Sequence, residues 1–470
     1  MAEKRWVVFD AEADSLEPDI FWCLHYHDYK DVQNTLTDYE DMRNFFKEYD
    51  SYIGHNIRRW DLPQLTRVVN IPDPKEVIDT MGISWYLEPK RRKNGLEAYG
   101  EEQGIPKVKI NDWKNLSLDE YIARCKRDVE INLRLWKDQL KHLMEIYGSS
   151  KEVNRFLKYL DAKMYQASLA EKSKWKLDVE RCKANLEILE EERKEKYDAL
   201  VRAMPKVPIK RVYERPKRYR NSDGQLSALG QRWEDRLRQA NLPPGHEGSV
   251  EEIVDFSPPN PGSSEQVKDW LFSLGWKPAI FKDTVRADGT SKKVPQVNKD
   301  KQSGGGVCES VLALINKEPA IEHLDGLGII LHRRSILNGF LRDADENGYL
   351  TARVQGFTNT LRFKHTELVN MPKPDARYGE LIRSCLIAPE GDELCGADMS
   401  GLEDRLKQHF LFKHDPEYVK SLMDPTYDPH LDLAFLAEAL SEKQVQEYKD
   451  KIRPENVTTI RSIYKNGNYA

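Results

Sequence analysis

"RWVVFDAEAD" (residues 5–14) runs from an apolar stretch directly into acids. In an extended strand successive side chains alternate between faces, so Asp10 and Glu12 project to the same side. Downstream, "DSYIGHN" (50–56) is a second strand-like run, and "DLPQLTRVV" (61–69) has the spacing of a helix that opens on Asp61. "LDEYIARCKRDVEINLRLWKDQLKHLMEIYG" (118–148) keeps apolar residues at helical spacing over many turns and holds Asp128 within it. Strands and helices mixed in this way predict an α/β domain over residues 1–150, ending near Gly148-Ser149-Ser150.

Asp10, Glu12, Asp61 and Asp128 form a candidate set. Most acidic side chains are solvated surface groups, so no one of them is informative alone. Brought together, the four would repel one another unless divalent cations joined them, and hard oxygen ligands suit Mg²⁺ or Mn²⁺. Two such ions about 4 Å apart activate a water and stabilise the leaving oxygen of a phosphoryl displacement, which is nuclease chemistry.

The whole chain has 470 residues, 39% hydrophobic and 10% aromatic, with a net charge of −5. That length allows about three ordinary domains. No run of about 18 apolar residues is present to span a bilayer, and "MAEKRWVVFDAEAD" lacks the apolar stretch of a signal peptide, so a cytoplasmic protein without membrane contact is expected. Six cysteines without a C-x-x-C pair signal neither a zinc site nor a disulfide framework. Residues 206–220, "KVPIKRVYERPKRYR", hold seven Lys or Arg against the single acid Glu214. Such a patch suits a phosphate backbone, and equally a solvated loop.

Between 151 and 204 the pattern is helical and charged, with "LEILEEERKEKYDALVRAM" (186–204) read as a long solvent-facing helix. Residues 205–265 are rich in Pro, Gly and Arg, and 283–306 reads as loop. Order returns with a helix around 324–344, strand pairs around 348–360, a strand at "DELCGADMS" (392–400) and a helix at "LEDRLKQHFLFKH" (402–414).

"FDAEAD", "GHNIRRWDLP", "VIDTM", "GLEAYGEEQG" and "RCKRDVEIN", in this order, resemble the DEDD 3′→5′ proofreading exonuclease domain over roughly residues 5–145. The resemblance implies a ribonuclease H-like fold, Asp10, Glu12, Asp61 and Asp128 as metal ligands, and Asn56 as a residue that holds the terminal nucleotide. One departure stands out. Where the family has a Tyr four residues before the last Asp, or a His five before it, this chain has Arg124 and Ala123, with Tyr121 one further helical turn away.

"CGADMSGLEDRLKQHF" (395–410) resembles motif A of family A DNA polymerases, the type found in tailed phages and in bacterial polymerase I. That implies Asp398 as one of two metal-holding carboxylates and Glu403 under the incoming sugar. "TLRFKHTELVNMP" (360–372) resembles the palm segment in which an Arg, here Arg362, contacts the primer-template. "HRRSILNGFL" and "FSPPNPGSSEQVKDWLFSLGW" resemble thumb segments. In "RSIYKNGNYA" (461–470), Arg461, Lys465 and Tyr469 match the start of motif B, the fingers helix, and His430 in "YDPHLDLA" matches a histidine that also reaches the dNTP. Taken alone that last stretch reads as a basic amphipathic helix facing solvent; the motif A resemblance upstream favours the fingers helix instead.

The resemblance thus implies an exonuclease domain (1–150), a mostly helical thumb (151–340), an incomplete α+β palm (341–455) and the start of the fingers (456–470). Motif C is not among these residues, and two-metal nucleotidyl transfer needs its carboxylates. The expectation is therefore the N-terminal subunit of a split replicative DNA polymerase. It would bind primer-template DNA and dNTP, and a second polypeptide would carry motif C. A processivity factor could also bind. A truncated version of an ordinary gene, a stand-alone 3′→5′ exonuclease and a non-catalytic DNA-holding component are the alternatives.

Overall fold

A computed structural model of the chain describes residues 5–110, 116–285, 290–299, 306–399, 402–424, 426–450, 452 and 454–469. The chain divides into two compact units, Met1–Asp392 and Glu393–Ala470.

The first unit begins with a five-stranded sheet, β1 (Trp6–Ala13), β2 (Phe21–Asp28), β3 (Gln33–Leu36), β4 (Ser51–Gly54) and β5 (Val77–Asp79), in the order β3-β2-β1-β4-β5. β1 pairs antiparallel with β2 and β2 with β3, whereas β1–β4 and β4–β5 are parallel. Helices α1 (Tyr39–Glu48), α2 (Asp61–Val69), α3 (Thr80–Leu87), α4 (Leu96–Glu102) and α5 (Leu118–Tyr147) complete the layers.

Two apolar clusters explain why β1 reads as a nearly continuous apolar run. Val7, Phe9, Ala11 and Ala13 pack with α1 and α2, and Val8 packs on the opposite face with Val129, Leu133 and Trp136 of α5. A central strand buried on both faces loses the simple polar alternation. Asp10 and Glu12 follow Val8 at period 2 and so belong to the α5 side.

α5 starts with a reciprocal cap between Ser117 and Glu120 and stops at Gly148, whose φ of 69° is left-handed. The core does not break there. α6 (Ser150–Lys172) follows at once, and its Val153, Leu157, Leu160 and Met164 join the cluster of Val8, Ile53 and Trp136. Gly148 and Ser149 mark a corner between helices; such caps signal helix ends and carry no information on domain limits. Val354 and Phe357 also reach this cluster, from a hairpin of Val354–Phe357 with Phe363–His365.

β6 (Trp175–Leu177) lies between Tyr349–Leu350 and Leu386–Ile387 in a small antiparallel sheet. α7 (Val179–Ala203) keeps a buried stripe in an otherwise polar surface. Cys182 and Leu189 pack with Ile330, Leu337 and Phe340 of the helix Leu327–Asp343, and Leu200 packs with Trp270 and Val311.

The span 205–265 has more structure than its composition predicts. β7 (Val207–Tyr213) pairs antiparallel with β8 (Val250–Ser257), and α8 (Ala228–Gln239) closes a small core of Trp233, Leu237 and Val250. A second hairpin joins Phe281–Val285 to Ser291–Pro295 within the stretch read as loop. Both hairpins are exposed along most of their length, so no burial pattern marks them in the sequence.

Among the described residues of the second unit, helices span Leu402–Leu411, Pro416–Met423, Pro429–Leu436, Glu442–Lys449 and Glu455–Tyr469, the last three packing around Leu431, Ala434, Leu440 and Val457. The strand expected at 392–400 does not form: residues 392–399 are irregular and exposed. A strand requires a neighbour for its N–H and C=O groups, and the described residues of this unit supply none. No described helix is long and apolar enough to cross a membrane.

Candidate active site

Asp10, Glu12, Asp61 and Asp128 line one cavity of about 640 Å³. β1 supplies the first two, the opening residue of α2 the third, and the buried face of α5 the fourth. One carboxylate oxygen each from Asp10, Glu12 and Asp128 lie within 4.8 Å of one another. Exposure is 9% for Glu12, 5% for Asp61 and 3% for Asp128. The Cys125 thiol, one turn before Asp128, donates to the Asp10 carbonyl at 3.1 Å and fixes α5 against β1.

The turn after β4 contributes Asn56 and His55 to the same cavity. Asn56 has a φ of 65°, a conformation Asn tolerates better than most residues. Asp79 holds this turn in place: its carboxylate accepts the backbone N–H of Asn56 at 2.9 Å, of Arg58 at 3.2 Å and of Met81 at 3.0 Å. His55 contacts Thr80 Oγ1 at 2.8 Å and the Asn94 carbonyl at 2.7 Å, and burial pushes its pKa down to about 4, so the ring is neutral at pH 7. Sequence reading assigned no role to Asp79 or His55. "VIDTM" and "GHN" contain them, but their function depends on contacts across the fold.

Two cations enter the acidic cluster. Lys107 Nζ is 2.6 Å from Asp128 Oδ2, and Arg124 Nε is 2.9 Å from Glu12 Oε1. Arg124, where the sequence resemblance leads one to expect a Tyr, thus contacts a cluster carboxylate. Tyr121 is buried and stacks on Trp22 with ring centroids 5.7 Å apart, outside the cavity lining. Ala123 lines a separate groove with His25 and Lys126.

Burial pushes Asp10 well above the usual carboxylate range, and the charges of Asp128, Glu12 and Asp61 add to the shift. Glu12 is pushed up to about 7 by burial, against the pull of Arg124, and Asp61 up to about 8 by burial. Asp128 is raised by burial in spite of Lys107. The cluster is therefore costly in its ionised form, and its Asp128 Oδ1 is buried without a hydrogen-bond partner. An orphaned carboxylate oxygen among converging hard ligands fits a divalent cation such as Mg²⁺ or Mn²⁺.

The second unit carries all the remaining sequence-derived candidates but Arg362. Asp398 lies exposed in the irregular segment 392–399, and Glu403 is exposed on the helix Leu402–Leu411. Among the described residues Asp398 belongs to no cluster of three potential metal ligands. Asp428 joins two of the remaining candidates. Its Oδ1 caps the backbone N–H of His430 at 3.0 Å, and its Oδ2 takes Arg461 Nε at 2.7 Å. His430 is buried and Lys465 exposed. Tyr469 ends the helix Glu455–Tyr469, and its side chain lies outside the described residues. Arg362 is exposed between the two strands of the hairpin Val354–His365 in the first unit.

The basic stretch 206–220 is largely strand β7 and the segment after it, with partners for some of its cations. Lys210 pairs with Glu251 at 3.0 Å, and Arg215 with Glu247.

No protein-family model and no curated protein matches the sequence. Among solved structures, the chain is similar to the POL domain of Pol1 from M. smegmatis in complex with DNA primer-template and dNTP. The TM-score is 0.58 at 14% identity, over 99% of this chain and 67% of that one. A family B DNA polymerase from the archaeon Pyrobaculum calidifontis aligns with 30% of this chain and 25% of its own at 18% identity, with a TM-score of 0.27, too low for a shared fold. The chain thus has a mixed α/β fold resembling a DNA polymerase domain, and spans about two thirds of that domain's length.

Proposed function

We propose that this chain is part of a DNA polymerase whose residues 1–150 form a metal-dependent 3′→5′ exonuclease domain. The observation that carries this reading is the convergence of carboxylate oxygens from Asp10, Glu12 and Asp128 within 4.8 Å, in a polypeptide with a polymerase-like fold. Asp10, Glu12, Asp61 and Asp128 hold Mg²⁺ or Mn²⁺. When bound, such ions polarise the scissile phosphate and lower the pKa of the attacking water. Asn56, fixed through Asp79, holds the terminal nucleotide, and neutral His55 braces the same turn.

In the second unit we assign Asp398 to metal binding, Glu403 to the sugar pocket, and His430, Arg461, Lys465 and Tyr469 to the triphosphate; in the first unit we assign Arg362 to the primer-template. Asp398, which among the described residues belongs to no cluster of three potential metal ligands, would share its transfer site with a carboxylate from a second polypeptide, as a split polymerase would use. A processivity factor remains compatible with the exposed hairpin β7–β8.

A second reading, a non-catalytic DNA-holding component, is favoured by the ion pairs of Lys107 and Arg124 with the cluster. Degradation of single-stranded DNA in Mg²⁺ separates the two. The exonuclease reading predicts loss of at least about a hundredfold in D10A/E12A, the scale of removing catalytic charge stabilisation. Equal degradation by wild type and the double variant would sink it.

A further inference from the structure

The two cations inside the acidic cavity have no place in a simple four-carboxylate metal site. Lys107 and Arg124 are mostly buried, with side chains 21% and 15% exposed, and each holds a different carboxylate of the cluster. They are also linked to each other. Arg124 Nη1 donates to the carbonyl of Val108, next to Lys107, at 3.1 Å. The segment around 107–108 and the first turns of α5 therefore present both charges to the cavity together. Asn56 lines the same cavity, so both heads stay within reach of a strand end held there.

Charge balance shows what such groups can do. Two divalent cations would neutralise Asp10, Glu12, Asp61 and Asp128 completely. Lys107 and Arg124 would then be surplus positive charge in a largely buried cavity, a state favourable only if an anion enters. A phosphodiester is such an anion, and the planar guanidinium presents two N–H groups in the geometry a phosphate accepts. Asp14 also lines the cavity, where it accepts the backbone N–H of Asp19 at 3.1 Å and of Ile20 at 3.2 Å; these hydrogen bonds do not cancel its charge, so it offsets one of the two cations and the other remains surplus.

We infer that Lys107 and Arg124 are exchangeable counter-ions: they neutralise Asp128 and Glu12 before metal binds, and turn to the phosphates of a nucleic-acid strand once divalent cations take the carboxylates. They act as substrate-positioning residues, and they make metal and strand binding mutually supportive. The inference rests on the exonuclease reading above.

The test measures two affinities at about pH 8.5, where protons compete least with metal for the carboxylates. Mn²⁺ binding is followed by the electron paramagnetic resonance of the free ion. Binding of a single-stranded oligonucleotide is followed by anisotropy in Ca²⁺. Lys107→Gln and Arg124→Gln should each bind Mn²⁺ on the order of tenfold tighter, since a competing positive charge is gone, and bind the oligonucleotide several-fold more weakly. Arg124→Lys should stay near wild type in Mn²⁺ affinity. Unchanged or weaker Mn²⁺ binding in both Gln variants would overturn the inference, as would unchanged oligonucleotide binding.

A variant-free measurement covers the case in which removing a counter-ion unfolds the chain. Acylation of Lys107 by a small amine-reactive reagent, read by mass spectrometry, should rise when Mn²⁺ is added to the wild type. Equal or lower labelling would overturn the inference. Failure of the exonuclease reading itself has a different signature: Mn²⁺ binding of the wild type would persist unchanged in D10A/E12A.

Discussion

Arg58 and Asp161 face each other in a two-point ion pair, with Arg58 Nε and Nη2 at 2.5 and 2.8 Å from the two carboxylate oxygens. Beside it, Arg59 pairs with Glu171, whose Oε1 also accepts the backbone N–H of Val354 at 2.8 Å. The consecutive arginines Arg58 and Arg59 thus anchor the turn that carries Asn56 to α6. Asp161→Ala should lower stability by about 2 kcal/mol, because both partners are some four-fifths buried yet still screened by solvent. In a double-mutant cycle with Arg58→Ala, the two losses should fall short of additive in denaturant unfolding.

Asp79 supports the same turn from the sheet side. Asp79→Ala leaves three backbone N–H groups without their acceptor and should cost roughly 3 kcal/mol, with Asp79→Asn intermediate. Under the exonuclease reading, nuclease activity in Asp79→Ala should fall at a temperature where the variant is still folded, since Asn56 loses its tether. Full activity in the folded variant would contradict that role.

The buried acids set the pH dependence of metal-free stability. Folded Glu12 and Asp61 keep their protons up to about pH 7 and 8, whereas unfolded carboxylates ionise near about pH 4. The folded state therefore binds more protons in between, and stability falls as pH rises through that window. His55 and His25, both lowered to about 4 by burial, work in the opposite sense. Their contribution is complete above the unfolded histidine value of about 6.5. Between about pH 6.5 and 8.5 the metal-free melting temperature should drop, and saturating Mg²⁺ should restore it at the upper end. A flat or rising curve in chelator would show that the carboxylates ionise freely.

The basic strand β7 makes a further prediction. Because Lys210 and Arg215 already have carboxylate partners, Lys210→Gln with Arg215→Gln should reduce the log–log salt slope of duplex binding by well under one ion, the approximate value for each phosphate that a cation neutralises. A drop of about two would show that both cations exchange partners for DNA.

How far the sequence spoke depended on whether a feature was local. β1 and α5 were legible because an apolar run and a 3.6-residue stripe are set by burial along each element, and the acids at 10, 12 and 128 came with them. Asp79, His55, Lys107 and Arg124 were not, since their contacts join residues distant in sequence. Their types alone are those of any surface. The exposed strand pairs β7–β8 and Phe281–Val285 with Ser291–Pro295 escaped because strands with little buried face show no alternation. Residues 392–400 failed in the other direction: they have strand composition but no described neighbour to complete a ladder.

The most direct test of the central claim is a time course on a single-stranded oligonucleotide labelled at its 5′ end, incubated with the purified chain and Mg²⁺. The account predicts a ladder that shortens one nucleotide at a time from the unlabelled 3′ end and disappears in chelator. Intact oligonucleotide, or a labelled mononucleotide released at once from the 5′ end, would contradict it.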